Sequence, residues 1–349
     1  MTTLVISDLH LGARDGSDVL RREPAALAAL VAALDGVQRL VLLGDLLELR
    51  HGPPREVLAA ARPVLARLGA AVEEVVIVAG NHDHGLVEGW LDELARVATP
   101  QLGLEERIEP ARASWIAAEV AAALAVPASV AYPGIWLRDD VYATHGHYLD
   151  LHTTLPSFER LAAGVSLRQL GPVPARATPT DYEARLAPVY GWLAAAGAWA
   201  PQELGTGSAG AAGAAYRVLT AGRRGGLRSL LLGAGFPLAV AGVNRAGLGP
   251  VHADISGPAL RRASLAAMHD VARRLDIGAA HVLFGHSHRT GPLPGDDRSE
   301  WGRLLNVGSW VVGSATGEAG ADNPYRAGGA ARLDDAGTTA PVLERIVWG

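Results

Sequence analysis

Two residue types are missing altogether: the 349 residues include no cysteine and no lysine. Without cysteine there are no disulfides, thiolate metal sites or cysteine nucleophiles, so any metal must be held by nitrogen and oxygen. Without lysine, all 31 basic residues are arginine, which together with the many alanines and 42 glycines is a bias of composition and not a binding device. An excess of positive charge is missing too. The formal net charge of −5 gives no electrostatic case for nonspecific binding to nucleic acid. Long apolar runs are scarce, and the strongest candidate, residues 227–243, is broken by Arg228, several glycines and Pro237. It falls short of the roughly 20 apolar residues that a membrane span needs. The start of the chain shows no positive segment followed by an apolar one and a cleavage site, so a cytoplasmic setting is expected. No internal repeat is visible. What is present is 49% hydrophobic residues with 19% charged, enough to bury a sizeable core.

Five short apolar runs, at residues 4–6, 40–43, 75–78, 141–143 and 282–284, read as buried strands. Each is followed by residue types that bind metals: Asp8-Leu9-His10, Gly44-Asp45, Gly80-Asn81-His82-Asp83, His145-Gly146-His147 and Gly285-His286-Ser287-His288. In open α/β sheets the carboxyl ends of strands form the crevice where ligands bind, so five such ends can converge on one pocket. Helical runs at 24–34, 55–68 and 114–125 alternate with the first strands, which suggests crossover units and a largely parallel sheet. Runs at 303–307, 330–333 and 342–347 read as closing strands of a second, more antiparallel sheet. Glycines 44, 80 and 285 suit tight turns that bring backbone close to a metal. A carboxylate has two oxygens and a negative charge, and so is fit to bind a cation.

As an ordered set these bursts resemble the calcineurin-like metallophosphoesterase family, over the regions 1–150 and 259–349. The resemblance implies an α/β fold, a four-layer α/β/β/α sandwich carrying two metal ions. It implies that Asp8, His10 and His288 hold one ion, that Asn81, His145 and His286 hold the other, and that Asp45 bridges them. It also implies hydrolysis of a phosphomonoester, phosphodiester or pyrophosphate, with hydroxide between the metals as nucleophile. Nitrogen and oxygen ligands suit manganese, iron or zinc, and the resemblance favours manganese or iron. His82 would face the substrate phosphate as proton donor or charge stabiliser. For Asp83 two readings stand: a carboxylate that orients the His82 ring, or a helix cap. Asp150 is either a partner of a ligand or the start of a turn. His84, His147 and His152 lie near motif residues, and Asn306 to Ser309 resembles a turn that packs beneath the site.

Residues 151–258 break the strand and helix alternation with Ala/Gly/Pro-rich sequence and helical pieces near 181–196 and 215–232, separated by a loose stretch at 205–213. This reads as an inserted, mainly helical cap. The short run after Gly44 and the His-Gly-His motif resemble the branch containing the UDP-2,3-diacylglucosamine pyrophosphatases. His82 departs from that branch, which carries arginine there. An amphiphilic phosphoester and peripheral membrane contact would fit residues 227–243 with Trp192, Trp199 and Phe236. A nuclease would need a cationic track, for which Arg223, Arg224 and Arg228 are the candidates. A noncatalytic metal-binding scaffold is the remaining alternative, and no ligand position has been lost in support of it.

Overall fold

A computed structural model describes residues 1–97, 101–199, 237–254, 256–312 and 323–349, the side chains of residues 158 and 194–199 excepted. The apolar runs form strands. β1 (Thr2–Ile6), β2 (Arg39–Leu43) and β3 (Glu74–Val78) lie parallel and adjacent, joined by crossovers that contain the helices Pro24–Ala33 and Pro54–Gly69. The helix Trp115–Leu124 follows, started by Ser114, whose side chain accepts a hydrogen bond from the Ala117 N–H. It leads from β4 (Glu105–Ile108) to β5 (Ala128–Arg138). β6 (Val141–Thr144), β7 (His281–Phe284) and β8 (Leu304–Asn306) come next, then β9 (Gly329–Asp334) and β10 (Val342–Arg345).

Hydrogen bonding runs in the order β10-β9-β1-β2-β3-β5-β6-β7-β8, with β4 also on β5. β5 divides its length between two sheets. Residues 128–131 pair with β3 and 130–133 with β4, whereas the stretch from Gly134 to Arg138 pairs with β6. The changeover falls at Pro133 and Gly134, where a proline ends one ladder and a glycine lets β6 approach. A methyl at Gly134 would stand 2.3 Å from Tyr142 Oη.

Period-2 alternation then sorts the side chains into layers. Val5, Val41, Leu43, Val76 and Val78 point inward, against Ile135, Leu137, Val141, Ala143 and Leu283 of the second sheet. Leu4, Ile6, Leu40, Leu42, Val75 and Ile77 point the other way, onto Leu30, Val64, Leu65 and Val120 of the flanking helices. Across the molecule Tyr142, Val282, Phe284 and Leu304 pack on Met268 and Val271 of the helix Gly257–Arg274 and on Tyr182 and Leu186 of the helix Pro179–Trp199. The result is α/β/β/α. Each fully buried aliphatic side chain contributes about 1.5–3 kcal/mol to holding these layers together.

One expectation fails. β8 joins the second sheet, parallel to β7, but β9 and β10 add antiparallel to the β1 edge of the first sheet. A short alternating run shows which of its faces is apolar, but not which sheet it will extend. Between 151 and 258 the regular structure among the described residues is helical, chiefly Phe158–Leu170, Pro179–Trp199 and residues 237–245. The stretches expected at 205–213 and 215–232 lie outside the described residues, as do Arg223, Arg224, Arg228 and Phe236. No described helix is long and apolar enough to cross a membrane.

Candidate metal centre

The five bursts meet at the carboxyl ends of β1, β2, β3, β6 and β7. Beyond β1 and β2 the loops continue side by side, with Asp8 N–H donating to Gly44 O at 3.1 Å, His10 N–H to Asp45 O at 2.8 Å and Leu11 N–H to Leu46 O at 2.9 Å. Asp8, His10, Asp45, His286 and His288 have φ of 56, 46, 50, 64 and 56°. Among the described non-glycine residues only Ala125 and Asp276 share that left-handed conformation. Each such residue stores roughly 1–3 kcal/mol of strain, a cost concentrated where side chains must turn inward together. Close approach is equally exacting. A methyl at Gly80 would stand 2.2 Å from Asp45 Oδ1, and one at Gly285 would stand 2.5 Å from Asp8 Oδ2.

Each carboxylate has one oxygen tied to the protein and one turned to the centre. Asp8 Oδ2 accepts from Ser7 Oγ at 2.6 Å and from the His286 N–H at 3.0 Å, while Oδ1 faces His288 Nε2 at 3.1 Å and His10 Nε2 at 3.9 Å. Asp45 Oδ1 accepts from the His82 N–H at 2.8 Å, while Oδ2 faces His10 Nε2 at 3.6 Å and His145 Nε2 at 3.4 Å. Asn81 Oδ1 lies 3.2 Å from His145 Nε2 and 3.0 Å from His286 Nδ1. Asp8 with His10 and His288, and Asp45 with His145 and His286, are compact enough to hold a cation each. Asp45 with His10 and His82 is a third such group, so Asp45 belongs to two of the three.

The far sides of the rings are fixed as well, which selects the nitrogen each presents. His10 Nδ1 meets Glu48 Oε2 at 2.9 Å, His145 Nδ1 donates to Leu43 O at 3.0 Å, and His286 Nε2 meets Asp150 Oδ1 at 2.9 Å. Asn306 steadies the last loop, its amide donating to Ser287 Oγ at 2.7 Å and Gly285 O at 3.3 Å. Glu48 was not singled out in the sequence, although it stands three residues after Asp45. Asp150 resolves as a partner of His286.

The donor set suits a cation. Asp8 Oδ1 and His10 Nε2 are buried without a hydrogen-bond partner, which is costly unless a cation completes them. Burial works against charge on Asp8, yet His288 and His145 outweigh it and hold the carboxyl at about 2. Burial likewise opposes a proton on His10 and His145, but the Glu48 hydrogen bond and Asp45 raise the first to about 9, and Asp45 raises the second to about 10. The cluster draws positive charge into a buried place.

His82 is held from both sides. Its Nδ1 lies 2.8 and 2.9 Å from the Glu48 oxygens, and Arg50 Nη1 stands 3.2 Å from its Nε2. Burial, and then the Arg50 cation, push its pKa below 6.5. The expectation that Asp83 orients this ring is corrected, because the carboxylate at Nδ1 is Glu48. Asp83 instead clamps two loops, accepting from Gly80 N–H at 2.7 Å, Leu46 N–H at 2.7 Å and Leu47 N–H at 3.2 Å. Nor does its side chain cap the short helix His84–Leu86. Burial, and then the Asp45 charge, raise the Asp83 carboxyl to about 6.

Three residues from the 151–258 segment reach this neighbourhood. Glu159 Oε1 meets Arg50 Nη1 at 3.1 Å, and Arg50 Nη2 donates to Asn81 O at 3.1 Å. Tyr190 Oη donates to Asp150 Oδ2 at 3.2 Å, and Asp150 in turn meets the candidate ligand His286. Glu183 accepts from Tyr132 and Tyr148 at 2.6 Å each and meets His84 Nε2 at 3.1 Å. His84 and His147 are therefore buried in this polar network. His152 lies beyond it, between Tyr182 and Asp270. Trp192 is exposed on the helix Pro179–Trp199.

The pattern of the family described as calcineurin-like phosphoesterase matches residues 1–195, which takes in Asp8 to His145 and stops short of His286. Among solved structures, the phosphopantetheinyl hydrolase PptH of Mycobacterium tuberculosis is 16% identical over 90% of each chain, with a TM-score of 0.30. No curated protein matches the sequence.

Proposed function

The chain belongs to the calcineurin-like phosphoesterase family, and we propose that it hydrolyses its phosphoester at a centre of two divalent cations. Asp8, His10 and His288 would hold one cation, Asn81, His145 and His286 the other, and Asp45 both. The observation that carries this reading is the place of Asp45 Oδ2, 3.6 Å from His10 Nε2 on one side and 3.4 Å from His145 Nε2 on the other. One acceptor common to two half-cages is what a bridging carboxylate requires. Manganese or iron is the favoured pair, with zinc compatible with the same donors. Bound there, two cations supply a water of lowered pKa and neutralise charge on a phosphoryl group during in-line displacement.

The remaining parts belong to the protein. Arg50, 5% exposed, presents N–H groups beside His82 and is placed to donate to phosphoryl oxygens. In the present arrangement Nδ1–H of His82 donates to Glu48 and Nε2 accepts from Arg50, so the ring is neutral. A phosphoryl group at Arg50 would draw that N–H away and bring negative charge beside the ring. Both changes raise the proton affinity of Nε2, which would take up a proton from solvent and pass it to a leaving alkoxide, returning the ring to its neutral form. Glu48 would keep the ring aimed throughout. We place the 151–258 segment as a helical cap, supported by the contacts of Glu159, Glu183 and Tyr190, and the protein in the cytoplasm.

The test is direct. Chelator-stripped protein supplied with Mn²⁺ should hydrolyse bis(p-nitrophenyl) phosphate, and Asp45→Asn should lose nearly all of that activity. No metal-dependent turnover with any common divalent ion, or full activity in Asp45→Asn, would overturn the proposal.

A further inference from the structure

Glu159 is the carboxylate that the helical segment sends to Arg50. Its side chain is 12% exposed, and its Oε1 shares Arg50 Nη1 with His82 Nε2, at 3.1 and 3.2 Å. The other N–H groups of Arg50 are already engaged or enclosed: Nη2 donates to Asn81 O, and Nε is buried without a partner. The remaining carboxylates at the centre are committed elsewhere, Glu48 to His10 and His82, Asp150 to His286 and Tyr190, and Asp83 to backbone N–H groups. Glu159 therefore stands where a phosphoryl oxygen would seek the guanidinium, and offers the same kind of acceptor.

An arriving phosphoryl group must either move Glu159 off Arg50 or lie beside it. In both cases it meets a fixed negative charge in a poorly hydrated place, and the repulsion scales with the charge it carries. A phosphodiester brings one negative charge. A phosphomonoester brings nearly two above its second pKa near 6. We infer that Glu159 is a specificity-determining residue that favours monoanionic phosphodiesters over dianionic phosphomonoesters. The inference rests on the reading of the centre as a phosphoesterase site.

Glu159→Gln keeps the size and removes the charge. With Mn²⁺-loaded protein at pH 8, kcat/KM should be measured for p-nitrophenyl phosphate and for bis(p-nitrophenyl) phosphate. The monoester-to-diester ratio should rise on the order of tenfold in Glu159→Gln. In parallel, the affinities of inorganic phosphate and dimethyl phosphate should be measured by calorimetry on the same loaded proteins. Their ratio should move in the same sense and by a similar factor. If Glu159→Gln leaves both ratios within twofold of the starting protein, or if Glu159→Ala moves them the other way, the inference is wrong. Should neither ester be turned over by any loaded form, the hydrolytic reading falls, while the affinity ratio still decides whether Glu159 discriminates by charge.

Discussion

On the proposed function, replacing Glu48 by glutamine should damage metal binding and turnover together, because one carboxylate holds both His10, a proposed ligand, and His82, the proposed proton donor. Its Oε2 is 2.9 Å from His10 Nδ1, and its two oxygens are 2.8 and 2.9 Å from His82 Nδ1. It is 3% exposed, and although burial opposes its charge, His82 and the hydrogen bond from His10 keep its pKa well below the usual 4.5. A hydrogen bond to a charged group is worth about 1.5–3 kcal/mol, roughly twice a neutral one. Glutamine can keep a neutral hydrogen bond to each ring, so about half is lost at each, roughly 0.8–1.5 kcal/mol. Every 1.4 kcal/mol is about a factor of ten, which gives about four- to twelvefold for each ring. A reduction of about tenfold in Mn²⁺ affinity, with a similar loss of kcat at saturating Mn²⁺, is the expected outcome. Calorimetric titration of stripped protein reads the first, and phosphodiester turnover the second. Combining Glu48→Gln with His82→Ala adds a sharper criterion, because the effects on kcat should be far from additive. Wild-type Mn²⁺ affinity in Glu48→Gln, or strict additivity in the double variant, would refute the reasoning.

Two further outcomes follow from the same geometry. In the metal-free protein His10 and His145 sit at about 9 and about 10. A folded pKa above the ordinary 6.5 gives stability that is complete below that value and is lost as pH rises through the folded pKa. Stripped protein should therefore lose melting temperature between pH 7 and 9 more steeply than Mn²⁺-loaded protein, in which cations replace those protons. Parallel pH profiles in a thermal shift assay would contradict this. At the other half of the centre, Asp150→Asn should weaken binding of the His286-side ion about 10–100-fold, and Tyr190→Phe by a smaller factor in the same direction. Two-site titration of Mn²⁺ should register both, with the His288-side ion unchanged; equal loss at both sites would point to general loosening instead.

That these polar residues would gather in one place was legible because each follows closely on a buried apolar run, a pattern carried by neighbouring residues. What holds those ligands in place was not, since it depends on contacts across the chain. Glu48 showed only as the end of a short run after Gly44, and its service to two rings appears when β1, β2 and β3 lie side by side. Asp83 offered a partner for His82 by adjacency, but its backbone turns the carboxylate onto N–H groups of two loops. β5 was concealed by its own purpose. Proline and glycine ordinarily interrupt strands, and Pro133 and Gly134 stand where β5 passes between sheets. Glu159 and Tyr190 could not be tied to the centre by spacing, lying 109 residues from Arg50 and 40 from Asp150.

The sharing of the centre between two sheets bears on how the chain reaches its native state. Asp8 and His286, joined by a hydrogen bond from the His286 N–H to the Asp8 carboxylate, are 278 residues apart, and no portion of the chain made early contains both. The left-handed backbone at the ligands is also unfavourable until neighbouring loops enforce it. Early β1-β2-β3 pairing can gather Asp8, His10, Asp45 and Asn81, but the full cluster awaits the return of β7 and its loop, among the most non-local contacts in the fold. On the proposed two-cation reading, uptake at both positions would serve as a readout of completed assembly, and a partially folded chain should bind one ion weakly or none.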